Sequence, residues 1–240
     1  MSYGYIFDFL RQRLGDRNAI IGLSGGIDSS LVLALLSRSI PRERIRAVFM
    51  PDSTTPPGDY DDIRKLSEKF SIEVTTRDIT PVVNSFRGLL EARSNGPIGN
   101  IKSRARMTVL YYYANTMNGY VVGTTNYTEF ITGYFTKYGD GGCDLEPIIN
   151  LTKTEVRSAA REFGVPESII SKPPTAGLWE GQTDEKELGF TYDEIDQAIE
   201  YFRKLGEFRD DAVSARVKDL YIKSMHKRNL PYSPGEVQSQ

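Results

Sequence analysis

One cysteine and one histidine in 240 residues leave little room for several common chemistries. Cys143 alone cannot build a disulfide framework or a multi-cysteine metal site, and so sparing a use of thiols fits a reducing, cytoplasmic setting. No stretch approaches the ~20 apolar residues of a membrane span. The segment Met1 to Leu10 contains Asp8 and lacks the basic region and small-residue cleavage site of a secretion signal. Gly-Lys occurs nowhere, so there is no Walker A loop and transfer of a γ-phosphate is the poorer reading. Charge of one sign is missing as well: 30 basic against 32 acidic side chains leave a net charge of −2, too little to draw the chain to nucleic acid or an anionic membrane. No internal repeat, low-complexity tract or heptad run suggests a scaffold. Small charged ligands remain, since they need only a few well-placed groups.

What is present is a core and an alternation. Hydrophobic residues make up 39% of the chain, enough for one large domain over 1–240 with a helical C-terminal segment at about 191–230. Short β-branched runs at 18–23, 44–50 and 72–77 alternate with helical patterns at 27–40, 59–70 and 80–92. This predicts an α/β fold with a doubly wound, Rossmann-like parallel sheet. A long helix over 99–118 precedes a further strand at 119–123. Its stripe Ile101, Ala105, Thr108, Tyr112, with Val109, Leu110, Tyr111 and Tyr113 around it, predicts burial on more than one side, against the chain's own core or a second subunit. The segments 132–146 and 171–189 read as long irregular loops, which inside a compact domain are usually functional.

The run Ser24-Gly25-Gly26-Ile27-Asp28-Ser29-Ser30 sits between the first strand and the first long helix. Two glycines allow a tight turn that points successive amides and a helix N-terminus at an anion, and the serines add donors. A carboxylate at Asp28 would repel a polyphosphate unless a cation lay between them, which implies Mg²⁺. Gly22-Leu23-Ser24-Gly25-Gly26 also fits a G-x-S-x-G nucleophile elbow, with His226 downstream as its base. That reading lacks an earlier strand-helix loop for the oxyanion hole and leaves Asp28 unexplained. Thr152-Lys153-Thr154-Glu155 spells a capping box, which places Lys153 in a first helical turn where a cation opposes the dipole and suggests an anion nearby.

The glycine-serine run resembles the SGGxDS loop of the PP-loop ATP pyrophosphatases. Further motifs narrow the family: Gly99-Asn100-Ile101-Lys102-Ser103-Arg104, Val122-Gly123-Thr124-Thr125, Glu129, the run from Thr132 to Asp144 that reads TGYFTKYGDGGCD, Leu151-Thr152-Lys153, Pro174-Thr175-Ala176, Asp184 to Gly189, and His226-Lys227-Arg228. In this order, over nearly the whole chain, they are similar to NAD synthetase. The resemblance implies an ammonia-dependent ligase that joins ammonia to the nicotinate carboxylate of deamido-NAD through an acyl-adenylate, cleaving ATP to AMP and pyrophosphate. It implies ATP binding by Gly22, Leu23, Ser24, Gly25, Gly26, Ile27, Asp28, Ser29, Thr124, Lys153 and Thr175, with Asp28 and Glu129 as Mg²⁺ ligands. Deamido-NAD would be held by Asn100, Arg104, Lys137, Asp144, His226 and Lys227. Lys153 would offset charge as pyrophosphate leaves, and Asp140 is a candidate for taking a proton from ammonium, although a glycine-flanked aspartate also forms turns. The long helix lies at a homodimer interface in the family, so Arg104 is expected to serve either its own site or its partner's.

Two stretches depart from that pattern. Ala47-Val48-Phe49-Met50-Pro51 has no arginine where many bacterial relatives carry one against ATP, and Thr125-Asn126-Tyr127-Thr128 replaces the more usual Asp-His-Ala-Ala before the metal-binding glutamate. The synthetase pattern fills the chain, so free ammonia is the expected donor. Other PP-loop enzymes are the rival class, but a tRNA-thiolating enzyme calls for paired cysteines or a basic RNA-binding segment. A non-enzymatic nucleotide-binding module would need neither the Asp28 and Glu129 pair nor two long loops.

Overall fold

Alternation along the first strand decides which face each layer packs on. In the computed structural model, which describes residues 3–179, 181–229 and 231, strand β1 (Asn18–Leu23) sends Ala19, Ile21 and Leu23 to one face of the sheet and Ile20 to the other. Strands β2 (Ile45–Phe49), β3 (Val74–Thr76) and β4 (Gly119–Val122) complete a parallel four-stranded sheet in the order β3-β2-β1-β4. This is the doubly wound α/β sheet the alternation implied.

Helix α2 (Ile27–Ser39) covers the first face. It is apolar on every side, with Leu31 to Leu36 wholly buried, because it is sandwiched between the sheet and helices α1 (Gly4–Leu14) and α7 (Lys153–Glu162). Each leucine so enclosed contributes about 2 kcal/mol of transfer free energy. Helix α3 (Pro57–Phe70) lays Ile63, Leu66 and Phe70 into the same core. Helices α4 (Thr80–Leu89) and α5 (Asn95–Thr116) cover the opposite face, where Val83, Ile98 and Ala105 meet Val48, and Ala114 meets Ile20 and Val121.

Helix α5 differs from the sequence expectation in two ways. It begins at Asn95 rather than 99, because Pro97 lies in the first turn, where the missing N–H has no intrahelical partner to lose. Of the stripe Ile101, Ala105, Thr108, Tyr112, only Ala105 is buried, while Tyr112 is 63% exposed. The inward line is Ile98, Lys102, Ala105. A lysine can occupy it because Lys102 Nζ reaches Asp52 Oδ1 at 3.0 Å, Thr54 Oγ1 at 2.8 Å and the Leu178 carbonyl at 2.7 Å.

After β4 the chain forms the short helix α6 (Tyr127–Thr132), then α7, α8 (Glu167–Ile170), α9 (Asp184–Leu188), α10 (Tyr192–Leu205), α11 (Ala212–Lys223) and α12 (Met225–Arg228). Ile131, Leu188, Tyr192, Ile195, Ile199 and Val217 form a second core among α6, α9, α10 and α11. Helix α9 lies inside the stretch expected to be irregular; five residues are too few to show a helical period. No helix among the described residues is long and apolar enough to cross a membrane.

Candidate active site

The strand order reverses direction between β1 and β4, and the segments leaving their C-terminal ends, Ser24–Gly26 and Gly123–Asn126, flank the resulting crevice. Gly25 adopts φ +80°, which a side chain would resist. The loop also braces itself: Gly26 N–H donates to Ser24 Oγ at 3.1 Å, and Ser30 Oγ donates to the Gly26 carbonyl at 2.7 Å. Helix α2 then starts without a side-chain cap, so its first amides remain available to an anion.

Asp28, in the first turn of α2, faces α6 and α7. Its Oδ1 accepts from Asn126 Nδ2 at 2.8 Å and its Oδ2 from Lys153 Nζ at 2.6 Å. Glu129 completes the group: its Oε2 accepts the Asn126 N–H at 3.2 Å as part of a capping box, and its Oε1 lies 3.4 Å from the same lysine nitrogen. The Thr152 capping box forms as expected and directs Lys153 inward, over the ring of Tyr192 at 5.1 Å. Burial followed by the Asp28 charge pushes the Glu129 pKa up. Burial opposes the Lys153 ammonium, but the two carboxylates overcome it and raise its pKa. Two carboxylates therefore share one ammonium, which sits nearer Asp28 and leaves Glu129 undercompensated. Hard oxygen donors on separate elements, with a surplus negative charge, fit a divalent cation such as Mg²⁺.

The other residues expected to touch ATP divide between the crevice and the segment above it. Thr124 lies in the turn after β4. Thr175 is exposed on the 171–189 segment, where its Oγ1 accepts the Gly177 N–H. That segment is tied to the phosphate loop by Lys172, whose Nζ reaches the Gly25 carbonyl at 3.3 Å, Asp59 at 2.7 Å and Asp62 at 2.5 Å.

The set expected to hold the dinucleotide converges on the 133–144 loop. Asn100 Oδ1 accepts from Thr136 Oγ1 at 2.8 Å, and Arg104 donates to the Lys137 carbonyl at 3.2 Å. Lys137 Nζ reaches the His226 carbonyl at 2.6 Å, and Lys227 Nζ reaches the Gly133 and Phe135 carbonyls at 2.8 and 2.7 Å. Asp140 Oδ1 accepts from Ser103 Oγ at 2.5 Å and from the Thr136 amide at 3.1 Å, which makes it a turn former as well as a site candidate. Asp144 lies at the β4 side of the loop, accepting the Val121 amide at 2.7 Å and the Tyr111 hydroxyl at 3.3 Å.

Sequence reasoning gave no role to Asn126, Lys172 or Asp184. Asn126 was legible as the cap of an N-x-x-E box. Asp184, read only as the start of a family motif, is buried and accepts from Tyr134, Tyr192 and the Ala176 amide, a role its neighbours in sequence could not show because these partners come from three separate segments.

An anion-binding turn at the switch point of an open parallel sheet defines a nucleotide-binding α/β protein. Residues 3–231 match the family described as NAD synthase, and the chain belongs to that family. It is 55% identical over 228 residues to the NH(3)-dependent NAD(+) synthetase of Thermoplasma volcanium, covering 95% of this chain and 94% of that one. Among solved structures, it is similar to the NMN synthetase of Francisella tularensis, with a TM-score of 0.87, 34% identity, and 98% of this chain and 100% of that one covered. The NH3-dependent NAD synthetase of Campylobacter jejuni, solved with a nitrate ion, aligns with a TM-score of 0.83 and 27% identity, covering 98% and 100%.

Proposed function

We propose that this chain converts deamido-NAD, ATP and ammonia to NAD, AMP and pyrophosphate, as a cytoplasmic homodimer that uses Mg²⁺. The observation that carries this reading is the grouping of Asp28, Glu129 and Lys153 at the start of α2, together with the gathering of Arg104, Lys137 and Lys227 around the 133–144 loop.

The order of steps follows from leaving-group chemistry. A carboxylate resists an amine because oxide is a poor leaving group, so the nicotinate carboxylate first attacks the α-phosphorus and pyrophosphate departs. The uncapped first turn of α2 and the Lys153 ammonium would receive the charge that develops on the departing group. Asp28 and Glu129 would hold Mg²⁺, which offsets phosphate charge when bound. Arg104, Lys137, His226 and Lys227 would orient the dinucleotide through charge-assisted contacts to its phosphates. Ammonia then attacks the acyl carbon and AMP leaves with the bonding pair. The 171–189 segment, tied to the Gly25 carbonyl by Lys172, would exclude water, which competes with ammonia for the adenylate.

Incubation with ATP, Mg²⁺, ammonium and deamido-NAD should yield NAD, AMP and pyrophosphate in equal amounts. The deamido form of NMN, assayed in parallel because of the Francisella neighbour, should turn over far more slowly. Preference for the mononucleotide would overturn the substrate assignment, and absence of AMP with both would overturn the reaction.

A further inference from the structure

Asn126 does more than a helix cap requires. It is fully buried at the start of α6, in the four-residue stretch that departs from the more usual family pattern. Its Oδ1 accepts the Glu129 N–H at 2.9 Å, and its own N–H donates to Glu129 Oε2 at 3.2 Å. Serine, threonine or aspartate would serve as well for that cap alone. Because Oδ1 is committed to an N–H, the orientation of the amide is fixed and Nδ2 must face the other way. There it donates to Asp28 Oδ1 at 2.8 Å, across 98 positions of the chain. Among the preferred cap residues, only asparagine carries an acceptor for the helix and a separate nitrogen donor for a second partner.

The two carboxylates are divided as a result. Asn126 engages one oxygen of each, Asp28 Oδ1 and Glu129 Oε2, while Asp28 Oδ2 and Glu129 Oε1 face the same cation, Lys153 Nζ, at 2.6 and 3.4 Å. Each acid thus keeps a single oxygen free of the asparagine, turned toward one shared positive group. That division bears on which divalent ion the pair accepts. Mg²⁺ is small, demands near-octahedral geometry and is served by one oxygen from each carboxylate, whereas Ca²⁺ takes more oxygens and commonly draws both from one carboxylate. A two-oxygen grip on Asp28 or Glu129 would have to share or displace a hydrogen bond from a buried donor, at the cost of weakening that bond. Single-oxygen ligation leaves both bonds intact.

Resting on the Mg²⁺ reading above, we propose that Asn126 selects the metal: by holding one oxygen of Asp28 and one of Glu129, it presents single-oxygen ligands suited to Mg²⁺ and disfavours Ca²⁺. It is a positioning residue, acting through the two carboxylates. Three elements meet in this arrangement, with Asp28 supplied by α2, Asn126 and Glu129 by α6, and Lys153 by α7. A cap without a second donor would leave Asp28 free to turn both oxygens to an ion.

The probe is Mn²⁺, which suits the same hard oxygen ligands as Mg²⁺ and whose paramagnetic signal reports the free ion. Displacement of bound Mn²⁺ by Mg²⁺ or by Ca²⁺ gives the ratio of their affinities without any turnover, and competition from the Lys153 ammonium cancels from that ratio. Asn126→Ser keeps an oxygen for the Glu129 amide but brings no nitrogen to Asp28. It should lower the preference for Mg²⁺ over Ca²⁺ by about tenfold, with the melting transition of the metal-free variant showing that it folds. An unchanged ratio would overturn the inference. Wild-type protein that holds no Mn²⁺, or Mn²⁺ held equally by wild type and Glu129→Gln, would overturn the metal assignment and the inference with it. Failure to form NAD would instead overturn the amidation reading, with the ion ratio still standing by itself. Should Asn126→Ser not fold, Asn126→Asp retains the cap and the side-chain length while replacing the donor with an oxygen. It should move the ratio in the same direction, and a ratio equal to that of the wild type would refute the assignment.

Discussion

Lys153 is the point at which structure and chemistry constrain one another most tightly. Its side chain is 5% exposed and shared between Asp28 and Glu129, each 17% exposed. Removing one partner from such a group strands the rest, so Lys153→Met should destabilise the ligand-free protein by about 3 kcal/mol. If the carboxylates hold Mg²⁺, the ion should raise the melting temperature of this variant more than that of the wild type, since a ligand that binds only the folded state stabilises it. Equal Mg²⁺ shifts in both proteins would remove the metal assignment. Glu146, which burial beside Cys143 and the Thr125 amide pushes toward its protonated form, makes a separate prediction about stability and pH. Its folded pKa, about 7, lies above the ordinary 4.5, so the folded state binds its proton more tightly than the unfolded state does. Its contribution is fully present below about 4.5 and is lost as pH rises through about 7. Denaturant titrations across that window should show a shallower decline for Glu146→Gln than for the wild type; parallel curves would mean that the carboxyl is not shifted.

Among the elements, the 171–189 segment is held down along its length, by Tyr134 and Tyr192 at Asp184 and by two lysines nearer its start. Lys172 joins its base to the Gly25 carbonyl and to α3, and the Leu178 carbonyl accepts from Lys102 on α5. Leu178 and Trp179 also close over Gly99, where an added Cβ would lie 3.0 Å from Leu178. Lys172→Met should free the base of this cover, strip Asp59 of its cation beside Gly25 and leave Asp62 with Lys65 alone. AMP released per NAD formed should then exceed one, because water reaches the adenylate. A ratio held at one would show that the adenylate is shielded by something other than this segment. Much of this level was legible in the sequence. The strand-turn-helix around Gly25 and the Thr152 box with Lys153 in its first turn follow from local patterns that report their own geometry. What was not legible depends on distance along the chain. Lys172 meets a carbonyl 147 positions away, and the buried side of α5 could not be read from its stripe because Asp52 neutralises Lys102 from another element.

For the molecule as a whole, the exposed apolar surface bears on assembly. Tyr112, 63% exposed on α5, and Leu89 and Leu90, 77% and 59% exposed at the end of α4, are apolar surface that a second copy could cover. Tyr112→Glu should shift the protein from dimer to monomer in sedimentation velocity, and an unchanged profile would place the interface elsewhere. Mixing Arg104→Ala with Asp28→Asn subunits should restore activity in verified heterodimers if the arginine reaches its partner's site; no recovery would mean each site is built from one chain.

The junction of α12 with the middle of the chain bears on timing. Lys227 holds the Phe135 carbonyl across 92 positions, and Arg228 holds the Phe130 carbonyl across 98. The 133–144 loop, around which the residues proposed to hold the dinucleotide gather, is thus clasped by a helix synthesised long after it. During translation the sheet and its phosphate turn can form while that clasp is still inside the ribosome. A nascent chain would therefore build its glycine turn before the 133–144 loop could be fixed in place.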